Sequence, residues 1–314
     1  MNGEGPGRRH ALVAGAAGYL GGSVVRALTR GGWQVRGLVR RPESSRRVEE
    51  AGGVAVVGSV LDPSAVDAAV RGCDLVVHVA AANPSGPEGL SLAERVRVDG
   101  CRNLLHACRA SGVRRLVVGS GYWVYADQPG TITEESAVDP RGESFVNWRT
   151  ERVALDAELR GSVETVVVRP GMVYGNGSWF RPVVEAIQEG SYRYVEGGSN
   201  PWSFVSLEDT GTGFARVAEN GQSGEVYNLV DGRPAPWREF GDFIAERLSR
   251  PSPSSISMAD AVTGYGPDVA HHLHARRACS SAKIEKLGWK PRWPDFRAGL
   301  SELLPKIDGS PRGR

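Results

Sequence analysis

The sequence predicts an α/β protein with an open, doubly wound parallel sheet and a smaller C-terminal lobe. Short valine-rich runs recur between residues 10 and 170, and helical stretches lie between them. After residue 170 the pattern loosens, and stretches rich in Gly, Ser and Asn separate short elements. Buried parallel strands read as continuous apolar runs, and alternation with helices gives βα units. We therefore predict a sheet domain over 1–170 and a lobe over 171–314 that is interleaved with the end of the sheet.

The strands of the sheet are the first elements to justify. The valine-rich runs predict strands at 11–15, 34–39, 54–58, 74–80, 115–120 and 164–170. Because these runs are short and mostly apolar, we expect each strand to be buried on both faces. The complete sheet is expected to hold about seven strands.

The helices follow from amphipathic stretches between those runs. Residues 21–32 and 92–112 have helical spacing, and the second stretch stops at Gly112, a favourable helix end. A further helix is predicted at 236–249, before the Pro/Ser-rich segment 250–257. The helices then cover both faces of the sheet.

The overall composition excludes several classes of protein. The 314 residues carry a net charge of +2, which gives no clustered basic surface for nucleic acid. The longest apolar runs, such as 74–82, are far shorter than the ~20 residues of a membrane span. The first ten residues contain no apolar signal segment. We expect a cytoplasmic protein, either a monomer or a homodimer, with no nucleic-acid or membrane partner.

Cysteine and histidine spacing argues against a metal site. The four cysteines form no CxxC pair, so we expect reduced thiols. His271, His272 and His274 are the one histidine cluster. They could bind a metal or form a solvated loop or helix end. No carboxylate or cysteine stands at ligand spacing nearby, so we predict the second alternative and no metal.

A glycine motif after the first strand predicts a dinucleotide site. Gly15, Gly18 and Gly21 follow an apolar strand and open a helix. In that context Gly15 makes the tight turn, Gly18 lets the backbone approach a pyrophosphate, and Gly21 allows close helix packing. The helix N-terminus would face the phosphates. A Rossmann-type site is therefore predicted, with Ala17, Tyr19 and Leu20 completing the loop.

The end of the second strand indicates which dinucleotide binds. An NAD site usually has Asp or Glu there for the ribose hydroxyls. This chain has Arg40 and Arg41 instead, which suit a 2′-phosphate. We predict NADPH/NADP over NADH; the alternative is two solvated arginines in a loop.

Motifs along nearly the whole chain resemble those of the extended short-chain dehydrogenase/reductases, the epimerase/dehydratase-like family. Besides the glycines, these are GSVLD (58–62), HVAAA (78–82), GSGYWVY (119–125), RPGMVYG (169–175), FVSLED (204–209) and the closing LGWKPRWPDFRAGLSELL. The resemblance implies an adenine beside Ser59 and Val60, phosphate and ribose along Ala80, Ala81 and Ala82, and a nicotinamide between Pro170 and Val173. It also implies that the C-terminal lobe binds substrate and that 204–209 helps to close over it.

The family's catalytic residues are missing from this chain. Members of the family use a Ser or Thr with a Tyr and a Lys four residues later, and the Lys tunes the Tyr as an acid. Gly121 stands at the Ser position, and Arg97 at that of a helical Asn. The three possible Tyr/Lys registers are Phe145/Arg149, Asn147/Glu151 and Trp148/Arg152. No register provides the pair.

Three explanations remain open for the missing acid. Tyr122 could donate the proton, although it could also be an ordinary pocket aromatic. Water or the substrate could supply it, for example through a phenol beside the ketone. Alternatively, the protein has lost catalysis and senses NADP(H), or it is a non-redox epimerase, dehydratase or cyclase that retains its cofactor.

We predict the reductase: an NADPH-dependent ketoreductase acting on a polycyclic aromatic ketone of polyketide type. A family member without the catalytic residues resembles atypical reductases of that chemistry. Aromatic and polar side chains near the expected site would suit a flat substrate, with ordinary core packing as the alternative for the aromatics. The predicted substrate contacts are Gly121, Tyr122, Phe145, Asn147, Trp148, Arg149, Trp179, Phe180 and Trp202.

Overall fold

A computed structural model describes residues 9–82 and 86–308. Its strands, in chain order, are β1 (His10–Ala14), β2 (Gln34–Val39), β3 (Val54–Val57), β4 (Leu75–His78), β5 (Arg115–Gly119), β6 (Glu164–Pro170), β7 (Met172–Tyr174), β8 (Arg193–Val195), β9 (Pro201–Trp202), β10 (Phe204–Ser206), β11 (Val226–Leu229), β12 (Ala235–Pro236) and β13 (Ser254–Ile256).

The helices are α1 (Tyr19–Arg30), α2 (Ser45–Glu50), α3 (Pro63–Val70), α4 (Gly86–Glu94), α5 (Gly100–Ser111), α6 (Glu143–Leu155), α7 (Ala157–Arg160), α8 (Phe180–Glu189), α9 (Leu207–Asn220), α10 (Trp237–Arg247), α11 (Met258–Tyr265), α12 (Pro267–His274), α13 (Ala282–Glu285) and α14 (Phe296–Asp308). A π-helical stretch, Arg95–Asp99, joins α4 to α5, and short 3₁₀ turns cover Pro42–Ser44, Tyr122–Val124 and Glu196–Gly198. None of these described helices is long and apolar enough to cross a membrane.

The main sheet confirms the predicted fold class. Seven parallel strands stand in the order β3-β2-β1-β4-β5-β6-β11. The order reverses between β1 and β4, which is the switch point where doubly wound sheets bind ligands. The glycine loop follows β1 directly, so it lies at the edge of the sheet where such folds bind ligands.

The prediction that every strand is buried on both faces is wrong for β3. Val54 is 68% exposed and Val57 is 53% exposed. The strand lies at the edge of the sheet and pairs only with β2. An edge strand has one covered side, so a valine-rich run does not by itself indicate a central position.

Two apolar layers cover the sheet, and β1 contributes to both. Ala11 and Val13 pack with side chains of α1, α2 and α9. Leu12 and Ala14 pack with side chains of α3, α5 and α6. This alternation follows from the two-residue period of a strand. Helix α5 ends at Gly112, which has a φ of 70°, as its left-handed C-cap position requires.

The C-terminal half of the chain contributes to both the sheet and a separate lobe. Strand β11 pairs with β6 and completes the main sheet. The rest of the lobe surrounds an aromatic core that includes Phe204, Trp237 and Phe240. The rings of Phe204 and Phe240 are 4.6 Å apart and nearly parallel. Aromatic packing thus holds the elements of the lobe together.

The histidine cluster lies at a helix end, as predicted, but it is not solvated throughout. His272, on the last turn of α12, is 4% exposed and stacks on Trp123 with ring centroids 4.7 Å apart. Burial lowers its pKa to about 4, so the imidazole is neutral at pH 7. The prediction of a solvated position failed for His272 because its ring packs on Trp123, which lies 149 positions earlier in the chain.

Candidate functional site

The glycine loop has the geometry that a dinucleotide site needs. Gly15 has a φ of 87°, and a Cβ there would lie 2.6 Å from the backbone of Ala80. A Cβ on Gly21 would lie 2.0 Å from the Gly15 carbonyl oxygen. Gly15 and Gly21 are therefore required by the packing of the protein itself. At Gly18, a Cβ would meet only the Gly15 oxygen, at 3.1 Å.

The N-terminus of α1 is open to an anionic group. Gly18 is the N-cap, no side chain caps the helix, and its first turn contains no acidic residue. The first amide groups of a helix lack internal partners, and the helix dipole favours negative charge there. This uncapped twelve-residue helix behind a glycine loop fits a pyrophosphate.

Arg40 and Arg41 lie exposed just after β2. Within the described chain, no carboxylate lies within 4 Å of either guanidinium group, whereas many other arginines form ion pairs. Both side chains are therefore available to a ligand at this end of the glycine loop. Their contact with a 2′-phosphate stays a prediction.

The remaining predicted cofactor residues border the same edge of the sheet. Ala80 packs against the glycine loop, and Ala81 and Ala82 follow it in the chain. The Tyr19 hydroxyl donates to the Gly175 carbonyl at 3.2 Å and so ties α1 to the loop after β7. The other predicted positions contact the protein itself. Val60 is buried against Gly100, and the Ser59 hydroxyl accepts a hydrogen bond from the Leu61 amide. Pro170 is buried at the end of β6, and Val173 is buried in the middle of β7.

Helix α6 carries all three candidate registers. Asn147 faces the sheet, where its Nδ2 would lie 3.5 Å from a Cβ on Gly121. The Asn147 side-chain oxygen is buried and has no partner among the described residues. The amide is therefore the α6 group that lies closest to the empty serine position. It can form hydrogen bonds, but it is not an acid.

Phe145, Trp148 and Arg149 lie on a different side of α6. Phe145 is 44% exposed and stacks on Trp148, with centroids 5.7 Å apart. The Arg149 guanidinium forms an ion pair with Glu94 of α4. Phe145 and Trp148 thus form an aromatic surface on α6, and its contact with substrate stays a prediction.

Glu151, at a lysine position in one register, belongs to a buried ion pair instead. Arg169 donates to both carboxylate oxygens, at 2.9 and 2.6 Å, and Ser120 donates to the same carboxylate. The Arg169 guanidinium also lies 4.7 Å from the centre of the Tyr125 ring. Sequence reasoning missed this group; the only signals were an acidic residue inside α6 and the arginine of RPGMVYG.

Arg97 stands in the π-helical stretch between α4 and α5, a rare geometry that often marks functional sites. Its carbonyl oxygen accepts a hydrogen bond from the His78 Nε2, at 3.0 Å. Burial lowers the pKa of His78 to about 4, so this histidine is neutral at pH 7 and is a poor proton donor.

Tyr122 lies directly after Gly121 but is 2% exposed. No described residue accepts a hydrogen bond from its hydroxyl, and burial raises its pKa above the ordinary value. A tyrosine with a raised pKa is a weaker acid than the lysine-assisted tyrosine it would replace. Its environment therefore weakens the case for Tyr122 as proton donor.

Two of the predicted substrate contacts lie deep in the lobe, and their contact with substrate stays a prediction. Phe180 and Trp202 are both 0% exposed and lie in the aromatic core of the lobe. Trp179 is half-buried in the same cluster, where its indole N–H donates to the Val173 carbonyl at 2.7 Å. Abundant aromatics predicted a flat ligand, and in this structure the three side chains pack within that aromatic cluster, where Trp179 and Trp202 both contact the ring of Trp237.

Several known proteins resemble this chain in sequence or in architecture. A 3-diazoavenalumate denitrifying reductase from a Streptomyces species is 32% identical over 307 residues, covering 92% of this chain and 98% of the relative. A 4-hydroxy-2-methyl-3-oxo-4-farnesyl-3,4-dihydroquinoline-1-oxide ketoreductase from Stigmatella aurantiaca is 32% identical over 242 residues, covering 75% of this chain and 72% of the relative. Among solved structures, a dTDP-glucose 4,6-dehydratase double mutant from Streptomyces venezuelae superposes with a TM-score of 0.81 at 23% identity, covering 96% and 97% of the two chains.

The family model described as the NAD dependent epimerase/dehydratase family matches residues 11–229. That range includes the glycine loop, the switch point and the whole of α6. The sequence match therefore agrees with the strand order and with the glycine-loop geometry. The chain belongs to the NAD dependent epimerase/dehydratase family.

Proposed function

We propose that this protein is an NADPH-dependent ketoreductase that acts on a polycyclic aromatic ketone without a protein acid of the family type. The observation that carries the proposal is the contrast between the two halves of the site. The glycine loop has the tight turn and close packing, and α1 the open N-terminus, that suit a pyrophosphate. Around Gly121, by contrast, the nearest α6 side chain is an amide. The two relatives described above, named as a reductase and a ketoreductase, support a reductive reaction.

The cofactor is assigned to NADPH from the charges after β2. Arg40 and Arg41 would hold the 2′-phosphate, and the N-terminus of α1 would face the pyrophosphate. When bound, the reduced nicotinamide supplies a hydride. What remains for the protein is to orient the ketone, exclude water and stabilise the charge that develops on its oxygen.

Asn147 is positioned to stabilise that oxygen. Its amide lies beside Gly121, and an N–H of the amide can donate a hydrogen bond to a developing alkoxide. It cannot transfer a proton. We propose that the proton comes from a phenol next to the ketone on the substrate, or from water. A phenol has a pKa of about 10, which resembles that of the tyrosine it replaces.

The test is consumption of NADPH with matched ketones. We expect turnover of a polycyclic aromatic ketone that carries a neighbouring phenol, and slow turnover of the analogue without it. Equal rates on both analogues would contradict substrate assistance. Product formation without net NADPH consumption would favour a non-redox epimerase, dehydratase or cyclase. Binding of NADPH with no reaction on any acceptor would favour a sensor.

A second candidate function is reductive removal of a diazo group. It is favoured by the relative that spans almost the whole chain and is named a denitrifying reductase. An aromatic diazonium ion accepts hydride and leaves as the arene and N₂, so charge and atoms balance without any proton donor. That reaction would not need the missing tyrosine. One equivalent each of arene and NADP⁺ from an aromatic diazo compound, with no activity on the ketone, would select this candidate.

A further inference from the structure

A buried arginine in the lobe has no carboxylate partner among the residues that the structure describes. Arg277 is 1% exposed, and its Nη2 donates to the His272 Nδ1 at 3.2 Å. Its Nε and Nη1 are buried and have no hydrogen-bond partner in the described part of the chain. An unpaired buried charge is costly, and natural proteins keep one mainly where function requires it.

The surroundings of Arg277 do not neutralise its charge. His272 donates from Nε2 to the Arg141 carbonyl, at 3.3 Å, so the nitrogen facing Arg277 is the unprotonated one. The two nearby acidic residues are engaged elsewhere: Asp127 pairs with Arg276, and Asp139 pairs with Arg141. Burial lowers the pKa of Arg277, in keeping with an uncompensated cation.

Two further buried donors that lack an acceptor within the described ranges lie in the same region. They are the hydroxyl of Tyr122 and the indole N–H of Trp202. The Arg277 amide donates to Pro201, next to Trp202, and Tyr122 follows Gly121 directly. The half-buried Trp123 lies between them, stacked on His272 and edge-on to Trp202. Buried donors with no acceptor among the described residues are thus carried by Arg277, by Trp202 and by Tyr122, the residue that follows the empty serine position.

We propose that Arg277 binds a carboxylate on the substrate, with the Tyr122 hydroxyl and the Trp202 indole as additional donors and Trp123 against its aromatic part. This inference rests on the proposed function, because it names the class of compound that the same site accepts: an aromatic carboxylic acid whose electrophilic group lies near Gly121. A carboxylate is favoured because it offers oxygen acceptors to several donors and neutralises the buried guanidinium. Arg277 is then a specificity-determining residue.

The test measures binding, not turnover, and uses the full chain saturated with NADP⁺. Calorimetric titration compares trans-cinnamate with its neutral amide, trans-cinnamamide, which has the same shape without the charge. We expect the wild-type protein to bind cinnamate more tightly by at least about tenfold. Equal affinity for the two compounds, or no binding of cinnamate, overturns the proposal without requiring any variant.

Two arginine variants then test whether Arg277 causes this preference for cinnamate. Arg277→Met should weaken cinnamate binding by about tenfold or more and leave cinnamamide unchanged. The control is Arg181→Met, which removes another arginine of the lobe, one that pairs with Glu185 on α8, and should leave both affinities within about twofold. If Arg181→Met, and not Arg277→Met, abolishes the preference for cinnamate, the proposal is wrong.

Thermal unfolding without ligand separates a binding role from a structural one. Replacing an unpaired buried cation by Met should keep or raise the melting temperature, because the desolvation penalty disappears. A marked fall in the Arg277→Met melting temperature, with the preference for cinnamate retained, contradicts the proposal. Preferential binding of cinnamate, together with no NADPH consumption on any phenol-bearing polycyclic ketone, would contradict the ketoreductase and leave the Arg277 site standing.

Discussion

At the scale of single residues, the buried ion pair of Glu151 and Arg169 shows most clearly why a particular side chain stands at its position. Glu151 is held by Arg169 from β6 and by Ser120 after β5, so it links α6 to two strands of the sheet. Both partners are almost completely buried. A buried pair of this kind fixes the orientation of α6 more surely than it adds stability.

Removing one partner should therefore be severe. We expect Arg169→Met to lower the free energy of unfolding by about 3–5 kcal/mol, because it leaves the Glu151 carboxylate buried and unpaired. Urea denaturation measures this change. Arg46→Met, which breaks the exposed pair with Glu50, is the control and should cost less than about 1 kcal/mol. If Glu151→Met combined with Arg169→Met is as unstable as Arg169→Met alone, this explanation is wrong.

Tyr122 decides between a protein acid and a substrate acid. If the substrate supplies the proton, Tyr122→Phe should leave the chemical step within about tenfold, or ~1.4 kcal/mol of activation free energy. Single-turnover measurement of NADPH oxidation gives this rate. A loss of several hundredfold would identify Tyr122 as the acid in spite of its burial.

The arginines after β2 should determine the choice of cofactor. Replacing both Arg40 and Arg41 with Ala should weaken NADPH binding by about tenfold or more and leave NADH binding almost unchanged, because only NADPH carries the 2′-phosphate. Fluorescence titration with both cofactors measures this. Arg46→Ala, a nearby arginine on α2, serves as control. Equal affinities in the wild-type protein would contradict the assignment.

How far the sequence predicts a residue's role depends on where its partners come from. Gly15 and Gly21 contact residues of their own motif or of the predicted strand 74–80, so the sequence alone predicted their roles. Arg277 depends on His272, Asp127 and Tyr122, which the fold assembles from separate segments. Nothing in local spacing marks a guanidinium as unpaired, so that feature required the structure.

At the scale of elements, the predicted strands agree with the structure to within two residues at either end, and β2 and β6 agree at both ends. Apolar runs with turn residues on either side define such strands locally. The short strands β7 to β10 were not predicted, because two- and three-residue elements carry no period. Strand β11 was also not predicted, and its pairing with β6 joins segments that lie far apart in the chain.

The turn between β1 and α1 offers a prediction about two glycines only three residues apart. Gly21→Ala should destabilise the fold strongly, because the new Cβ would lie 2.0 Å from the Gly15 oxygen, where neither backbone can yield. Gly18→Ala places a Cβ 3.1 Å from that oxygen and should be tolerated by the fold. Its effect should instead be on cofactor affinity, by about tenfold or more, since the methyl group occupies the approach to α1.

Thermal unfolding and cofactor titration on both variants separate these outcomes. Gly22→Ala is a useful control, because its Cβ would have nothing closer than 3.7 Å. Loss of stability in Gly18→Ala, with cofactor affinity retained, would mean that the loop is built for packing and not for a pyrophosphate.

At the scale of the whole molecule, buried ionisable groups make stability depend on pH. Asp231, after β11, is 7% exposed; its Oδ1 accepts a bond from the Arg233 amide at 3.0 Å, and its Oδ2 has no partner within the described ranges. Burial raises its pKa from 3.8 to about 8, and the nearby carboxylates of Asp295 and Asp209 add to this. In the folded protein this side chain is therefore protonated at neutral pH.

The sign of the effect follows from proton binding. Between the unfolded pKa of 3.8 and the folded pKa of about 8, the folded protein holds a proton on Asp231 that the unfolded chain releases. The contribution of Asp231 to stability is thus fully present below pH 3.8 and is lost as pH rises through this window, by at most ~1.4 kcal/mol per pH unit. Asn has nearly the same shape as the protonated acid and does not titrate.

We therefore expect Asp231→Asn to gain stability relative to the wild-type protein as pH rises from 4 to 8, and the difference to level off at higher pH. Urea unfolding of both proteins across this pH range measures the difference in their free energies of unfolding. Contributions from groups that titrate in both proteins cancel in that difference. Asp67→Asn, at an exposed position on α3, is the control and should show a flat difference. A flat difference for Asp231→Asn as well, or one that falls with pH, would show that the Asp231 carboxyl is ionised in the folded protein and that a compensating donor stabilises it.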